Sequence, residues 1–240
     1  MPKELISRLE KFVTLTEADR RAVDSTFRHR RTTSAGRDVI QELGHADGVV
    51  VITEGFAGQF RVRDDGRRQI VAFFHPGDLI HFGSLAAENA VFGVTAFTPT
   101  VTSSIDVDGF LSLTTSSQSL ARAFWHMAIE QLSIAREWLV DLGLGSAQQR
   151  LAHLFCEQHY RLEEIGRAAA GMVRLPLSQR DLGDTIGITN VHVNRTLQEL
   201  RSAGLLSFDG IDLQIFDLKK LRQIAKFDPQ YLQWRKLGQA

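Results

Sequence analysis

Cysteine is almost absent: Cys156 is the single one in 240 residues. One thiol cannot close an intrachain disulfide or supply a four-cysteine zinc or iron–sulfur site. Net charge is lacking too, since 28 Lys and Arg balance 28 Asp and Glu. The whole-chain balance therefore does not announce a nucleic-acid binder. No apolar run reaches the roughly 18–20 residues needed to span a bilayer, and the opening Met1-Pro2-Lys3-Glu4-Leu5-Ile6 leads into no apolar core of signal-peptide length. These absences point to a reduced, cytoplasmic protein with no membrane attachment. No nucleophile–base pair, phosphate-cradling glycine loop or metal-spaced His/Glu motif stands out. We therefore assign no catalytic residues and no metal ligands, and an enzyme is the least favoured class.

The chain does have apolar content and local order. It is 43% hydrophobic and 23% charged, enough to bury a core in one or two domains. Residues 1–149 hold 15 Lys and Arg against 18 Asp and Glu, whereas residues 150–240 hold 13 against 10. A mildly basic carboxy-terminal part suits phosphate contacts. Leu5, Leu9, Phe12 and Val13 recur at helical spacing, and Thr16 with Asp19 caps a second short helix. Arg28-His29-Arg30-Arg31 reads as a solvated basic edge. From about residue 32 to 108 the pattern changes to short β-branched and aromatic runs punctuated by glycine. Residues 49–52, 58–63 and 69–74 read as strands, with Asp64-Asp65-Gly66 as a hairpin turn. Regular short strands of this kind predict a β-roll or barrel.

Residues 117–142 contain neither proline nor glycine and predict a long helix. Leu120, Phe124, Met127, Ile134 and Trp138 form one apolar stripe. Ala121, Trp125, Ala128, Leu132, Ala135, Leu139 and Leu142 form another. A helix apolar on two faces needs two partners: its own β-roll and a second copy of the chain, giving a two-fold dimer. The alternative is a helix buried inside one domain. Gly143-Leu144-Gly145 ends this helix, and Ser146 with Gln149 reads as a capping box opening the next, to about Ile165. Residues 166–176 read as a linker.

The segment from Ser178 to Leu206 is the most informative. Pro176 stops any arriving helix, Ser178 caps the next one with Asp181 three residues on, and Gly187 supplies a tight turn. Thr189 caps a second helix. Leu182, Ile186, Val193, Leu197 and Leu200 are spaced to pack inward, and Val191 stays open between the two faces. Asn190, His192, Asn194, Arg195 and Gln198 are left facing outward, where Asn suits adenine and Arg suits guanine. The runs on either side of Asp209-Gly210 then read as two strands, the wing of a winged helix-turn-helix. The simpler alternative is a helical hairpin with solvated polar residues.

Leu175-Pro176-Leu177-Ser178-Gln179-Arg180-Asp181-Leu182-Gly183, followed by Ile186-Gly187-Ile188-Thr189 and Arg195-Thr196-Leu197, resembles the DNA-binding signature of the CRP/FNR transcription-regulator superfamily. Phe74-His75-Pro76-Gly77-Asp78-Leu79-Ile80 resembles its Pro-Gly-Asp turn, and residues 145–152 resemble its hinge. The resemblance implies an α+β fold: an N-terminal cyclic-nucleotide-binding-like β-roll, a long dimerisation helix and a C-terminal winged helix-turn-helix. The corresponding domains are residues 1–116 (sensor, with the N-terminal helices), 117–145 (dimerisation helix and hinge) and 146–240 (DNA binding, with a helical tail). The implied function is a homodimeric regulator on a near-palindromic operator. Its partners would be double-stranded DNA and, for an activator, RNA polymerase. Ser178, Gln179 and Thr189 would touch phosphates, while Asn190, His192, Asn194, Arg195 and Gln198 would read or position DNA.

The departures are informative. Cyclic-AMP binders of this family carry Gly-Glu-Leu-Ala and then an Arg. Here Gly83-Ser84-Leu85-Ala86 has serine for the Glu, and Phe92-Gly93-Val94-Thr95 lacks the Arg. A buried phosphate without a cation is disfavoured, so no tight cyclic-nucleotide binding is expected. The oxygen sensors' N-terminal cysteines are missing, which excludes their iron–sulfur cluster. An effector pocket would be bounded by Phe82, Gly83, Ser84, Leu85, Ala86, Thr95 and Trp125. Phe73, Phe74, Phe82, Phe92 and Phe97 are read chiefly as β-roll core, with an apolar pocket for a hydrophobic or aromatic effector as the alternative. Val191 stands where many members have Glu, so the operator is expected to differ. No cofactor is assigned. A haem or other gas or redox sensor using His75, His81 or His126 is the alternative input, against a reading of these as loop and surface histidines. A winged helix serving protein contact is the alternative output. Cys156 is read as a small buried hydrophobe, with a redox switch as its alternative. The aromatic segment at residues 227–234 is expected to pack on the winged helix, or else to bind a partner.

Overall fold

The computed structural model describes residues 3–44, 48–81 and 89–232. They form two compact units, and the division falls between Leu132 and Ser133, inside the long helix.

The first unit opens with α1 (Lys3–Glu10) and α2 (Glu17–Thr26). The capping box read at Thr16 is present: Thr16 Oγ1 accepts from the Asp19 N–H at 3.1 Å, and the Asp19 carboxylate accepts from the Thr16 N–H at 2.9 Å. Eight strands follow: β1 (His29–Thr33), β2 (Asp38–Ile40), β3 (Val49–Glu54), β4 (Ala57–Val62), β5 (Arg68–Phe74), β6 (Leu79–His81), β7 (Gly93–Ala96) and β8 (Thr100–Ile105). They pair antiparallel in two sheets of order β1-β8-β3-β6 and β2-β7-β4-β5, the expected β-roll. The β4–β5 hairpin turns at Gly66, whose φ of 78° is left-handed. The basic cluster lies largely on β1, an edge strand whose first four residues are exposed, and Arg30 pairs with Glu54 at 2.7 Å. Charge on an edge blocks pairing with another chain.

Val39, Ile40, Ile52, Ala57, Phe74, Ile80, Val94 and Ala96 form one apolar core of the roll. A second core joins Val49, Val51, Leu79 and Ile105 to α1, α2, α3 (Val107–Ser116) and the first half of α4 (Gln118–Leu144). Helix α3 is not anticipated by a strand pattern extending to residue 108. It begins because the Asp106 carboxylate accepts from the Gly109 N–H at 2.6 Å. On α4, Leu120, Phe124, Met127, Ile134 and Trp138 are buried. On the other stripe Trp125 is 70% exposed, Leu132 48% and Leu139 70%. No described helix is long and apolar enough to cross a membrane.

The second unit contains the end of α4, then α5 (Ala147–Glu164), β9 (Ala168–Ala169), β10 (Met172–Arg174), α6 (Gln179–Ile186), α7 (Asn190–Ser202), β11 (Leu206–Phe208), β12 (Asp212–Ile215), α8 (Leu218–Ala225) and a 3-10 turn (Pro229–Leu232). The Ser146–Gln149 capping box opens α5, with both bonds made at 2.9 and 3.2 Å. Residues 166–176 are not a plain linker, and that reading is corrected. They form a hairpin whose turn residues Ala170 (φ 49°) and Gly171 (φ 78°) are both left-handed, as a two-residue primed turn requires. Its strand β10 pairs with β12, giving a four-stranded sheet of order β11-β12-β10-β9. Strands of two and three residues are too short to show an alternating pattern. The described part of the aromatic C-terminal segment packs on α5: the Phe227 ring meets the His153 ring edge-on at 5.2 Å between centroids.

Candidate nucleic-acid interface

Two locally specified helices build the site. Ser178 Oγ accepts from the Asp181 N–H at 3.1 Å, and the Asp181 carboxylate accepts from the Ser178 N–H at 3.0 Å, so α6 starts from a capping box worth about 1 kcal/mol. Gly187 ends α6 in the left-handed region at φ 72°, with its N–H on Gly183 O. Thr189 Oγ1 accepts from the His192 N–H at 3.4 Å and caps α7. Leu182, Val193, Leu197 and Leu200 are fully buried and Ile186 is 3% exposed. This apolar seam fixes the angle between the helices and leaves the opposite face of α7 in water.

Gly183, which the sequence pattern does not single out, is essential to the crossing. A Cβ there would lie 2.6 Å from the backbone oxygen of Ile188. The wing is anchored from both ends. Arg201 donates to Phe208 O, tying α7 to β11. In the β11–β12 turn, Gly210 has φ 98°, and Asp209 accepts backbone N–H bonds from Asp212 and Ile211 that hold its carboxyl below the ordinary range.

Ser178, Gln179, Thr189, Asn190, Asn194, Arg195 and Gln198 are exposed, and His192 is half-buried. They occupy the start of α6 and the outer side of α7. Several are mutually positioned: Asn194 donates weakly to Gln179 at 3.4 Å, and Arg195 Nη2 lies 3.1 Å from His192 Nε2 and its Nε 3.7 Å from Glu199. A guanidinium has no lone pair, so His192 is the acceptor in that contact. Val191 is 82% exposed, which settles its orientation as outward. Arg180, exposed beside Gln179 and 3.9 Å from Asp184, adds a cation to the same end of α6.

The residues expected to bound an effector pocket are not brought together among the described residues. Phe82, Gly83, Ser84, Leu85 and Ala86 lie outside the described residues. Thr95 is 8% exposed on β7 and hydrogen-bonds Asp38, whereas Trp125 is 70% exposed on α4. Asp38, its carboxyl raised by burial, lines a groove of about 430 Å³ with Arg31, Ile40, Gln41, Thr102 and Ser104. Val94, from the run that lacks an Arg, is buried in the roll core. Phe73 and Phe74 are core, Phe97 is half-buried with its ring tilted against Phe56, and the core reading fails for Phe92, which is 37% exposed beneath Arg61. Reading the histidines as surface groups fails for two of them: His75 is 4% exposed and stacks on Phe56, and His81 is 8% exposed with burial lowering its pKa. His126 stacks on Phe12. Among the described residues no group of three or more His, Cys, Asp or Glu is arranged to hold a metal ion. Cys156 is buried and its thiol is pushed up to about 12, which keeps it protonated.

Two family descriptions match the chain: a Crp-like helix-turn-helix domain over residues 149–224 and a cyclic nucleotide-binding domain over residues 30–117. The nitrogen fixation regulation protein FixK of Bradyrhizobium diazoefficiens is 28% identical over 80% of each chain. The transcriptional activator protein FnrL of Cereibacter sphaeroides is 26% identical over 77% of this chain and 75% of that one. The solved structure of FixK2 from Bradyrhizobium japonicum superposes with a TM-score of 0.73 at 28% identity, covering 82% of this chain and 96% of that one.

Proposed function

The chain belongs to the CRP/FNR superfamily of transcription regulators, and from that premise we propose that it works in the cytoplasm as a homodimer on a near-palindromic operator. The observation that carries this reading is the exposed polar face of α7 standing on a fully buried apolar seam. The first turns of such a helix enter the major groove. Asn190, Asn194 and Arg195 meet base edges there. Ser178, Gln179, Arg180 and Thr189 meet phosphate, and His192 and Gln198 position the helix. The exposed stripe of Trp125, Leu132 and Leu139 supplies the apolar surface for the second copy. The domains are sensor 1–116, dimerisation helix and hinge 117–145, and DNA-binding 146–240. The protein acts by binding rather than catalysis, and where it activates, RNA polymerase is its further partner.

Val191 presents methyl groups where a carboxylate would accept from cytosine. Its natural contact is the thymine methyl, so the operator departs from the usual half-site. Thr95 engaged with an acidic Asp38, and a core valine in place of a cation, fit poorly with a cyclic phosphate. We infer a regulator that does not bind cyclic AMP tightly, carries no iron–sulfur cluster and needs no haem. Micromolar cyclic-AMP affinity by calorimetry would refute the first point.

The test of DNA recognition is a mobility shift across a salt series. Wild type binds with a steep salt dependence. Arg195→Ala weakens binding at the preferred site about tenfold or more, the loss of a bidentate guanine contact worth roughly 1–3 kcal/mol. Equal binding by the variant would remove Arg195 from the interface.

A further inference from the structure

The second unit buries a polar cluster that the DNA interface does not use. His153, on α5, is 3% exposed. Its Nδ1 lies 2.9 Å from the Asp141 carboxylate at the end of α4, and its Nε2 lies 2.9 Å from the Tyr231 hydroxyl on the C-terminal 3-10 turn. Tyr231 in turn donates to Glu157 at 2.8 Å, and the same carboxylate oxygen accepts from Trp138 Nε1 at 3.0 Å. The other Glu157 oxygen accepts from Gln158 at 3.1 Å.

Counting protons fixes the state of the imidazole. A phenol has one proton, and Tyr231 spends it on Glu157. Its oxygen must therefore accept from His153 Nε2–H. The Asp141 carboxylate must accept from Nδ1–H. Both ring nitrogens are donors, so His153 is an imidazolium. The surrounding charges agree with this count. Glu137 and Asp141 face it from α4 and Glu157 from α5, with Arg161 3.9 Å behind Glu157. Arg150 shares its small cavity, and Arg222 of α8 covers the Phe227 ring that meets it. Burial lowers the His153 pKa, but the Asp141 hydrogen bond and the acidic neighbours outweigh it and the net direction is up. His159, one turn and a half further along α5, provides a contrast. Its buried Nδ1 has no hydrogen-bond partner and burial lowers its pKa.

We propose that His153 is a proton-binding site that clasps the end of the long helix and the C-terminal turn onto α5, making the proton an input to DNA binding. Loss of one proton breaks one link of the chain: either Asp141 loses its N–H donor, or Tyr231 turns its single proton to the bare Nε2 and gives up Glu157. The effect can reach the interface within this unit. Leu142, adjacent to Asp141, lies where a Gly187 Cβ would touch it at 3.6 Å, at the turn between α6 and α7. The clasp holds below the ordinary histidine range and is lost as pH rises through the raised value.

Long-range 1H–15N correlation spectra of the full-length protein test the site directly. At about pH 7, His153 should show two protonated nitrogens and His159 one, and Asp141→Asn should move the His153 midpoint to lower pH. A neutral His153, or a midpoint unmoved in the variant, would overturn the proposal. The coupling to DNA rests on the DNA-binding reading above. For a duplex recovered by selection from random-sequence DNA, wild-type affinity should fall roughly three- to tenfold from about pH 6 to about pH 8.5. His153→Gln or Asp141→Asn should lose most of that difference. The same pH dependence in all three proteins would overturn the coupling. Absence of binding at every pH would instead strike the DNA reading and leave the imidazole titration to decide the clasp.

Discussion

Among the described residues each unit buries an ionic cluster against its own part of the long helix, and the two clusters differ in kind. In the first unit Arg8 of α1 joins Asp78, 3.5 Å away in the Pro-Gly-Asp turn, and Glu130 of α4. In the second, Asp141 of α4 joins His153 and, through Tyr231, Glu157. A guanidinium keeps its charge at every physiological pH, so the first cluster is a permanent fastening. An imidazole does not, so the second can open. The first unit is fastened by a cation that does not titrate in this range, the second by one that does.

The largest effect should come from breaking the permanent cluster. Arg8→Met removes the guanidinium that meets Asp78 and Glu130 inside the first unit and should destabilise that unit by about 3–5 kcal/mol, read as an earlier transition in chemical denaturation and with little dependence on pH between about 6 and 8.5. A strongly pH-dependent loss would erase the contrast between the clusters. A smaller effect is expected at Gly183→Ala. The added methyl meets Ile188 O at 2.6 Å and should cost about 1–3 kcal/mol, confined to the second unit and accompanied by weaker DNA binding. Full stability of this variant would mean that the crossing of α6 and α7 is looser than described. The smallest change is Ser178→Ala, which removes a cap worth about 1 kcal/mol and should lower the second unit's midpoint without altering which DNA sequence is preferred.

What was legible in the sequence was what is local. Thr16 with Asp19, Ser146 with Gln149 and Ser178 with Asp181 each specify a helix start within four residues, and each capping box is present. The two stripes of α4 were readable because helical periodicity is local too, and they divide into a buried and an exposed face. The hairpin at residues 168–174 was not legible, because its stability comes from pairing with β12 some 40 residues on. The His153 cluster was invisible for the same reason: its hydrogen bond to Tyr231 spans 78 residues. Gly183 looked like any helical glycine until the backbone of Ile188 was seen against it. His75 and His81 looked like loop residues, yet the roll closes over both. On α7 the helical spacing separated the side chains that are buried from those that reach water, and only Val191 was left undecided.

A two-fold regulator that reads DNA through α7 must select an inverted repeat. Selection from a random-sequence duplex library with the full-length protein tests it most directly. The enriched sequence should be an inverted repeat whose half-sites are centred one helical turn, ~34 Å, apart, with a thymine in each half-site whose replacement by deoxyuridine weakens wild type but not Val191→Ala. Recovery of a single half-site, or of no enriched sequence, would contradict it.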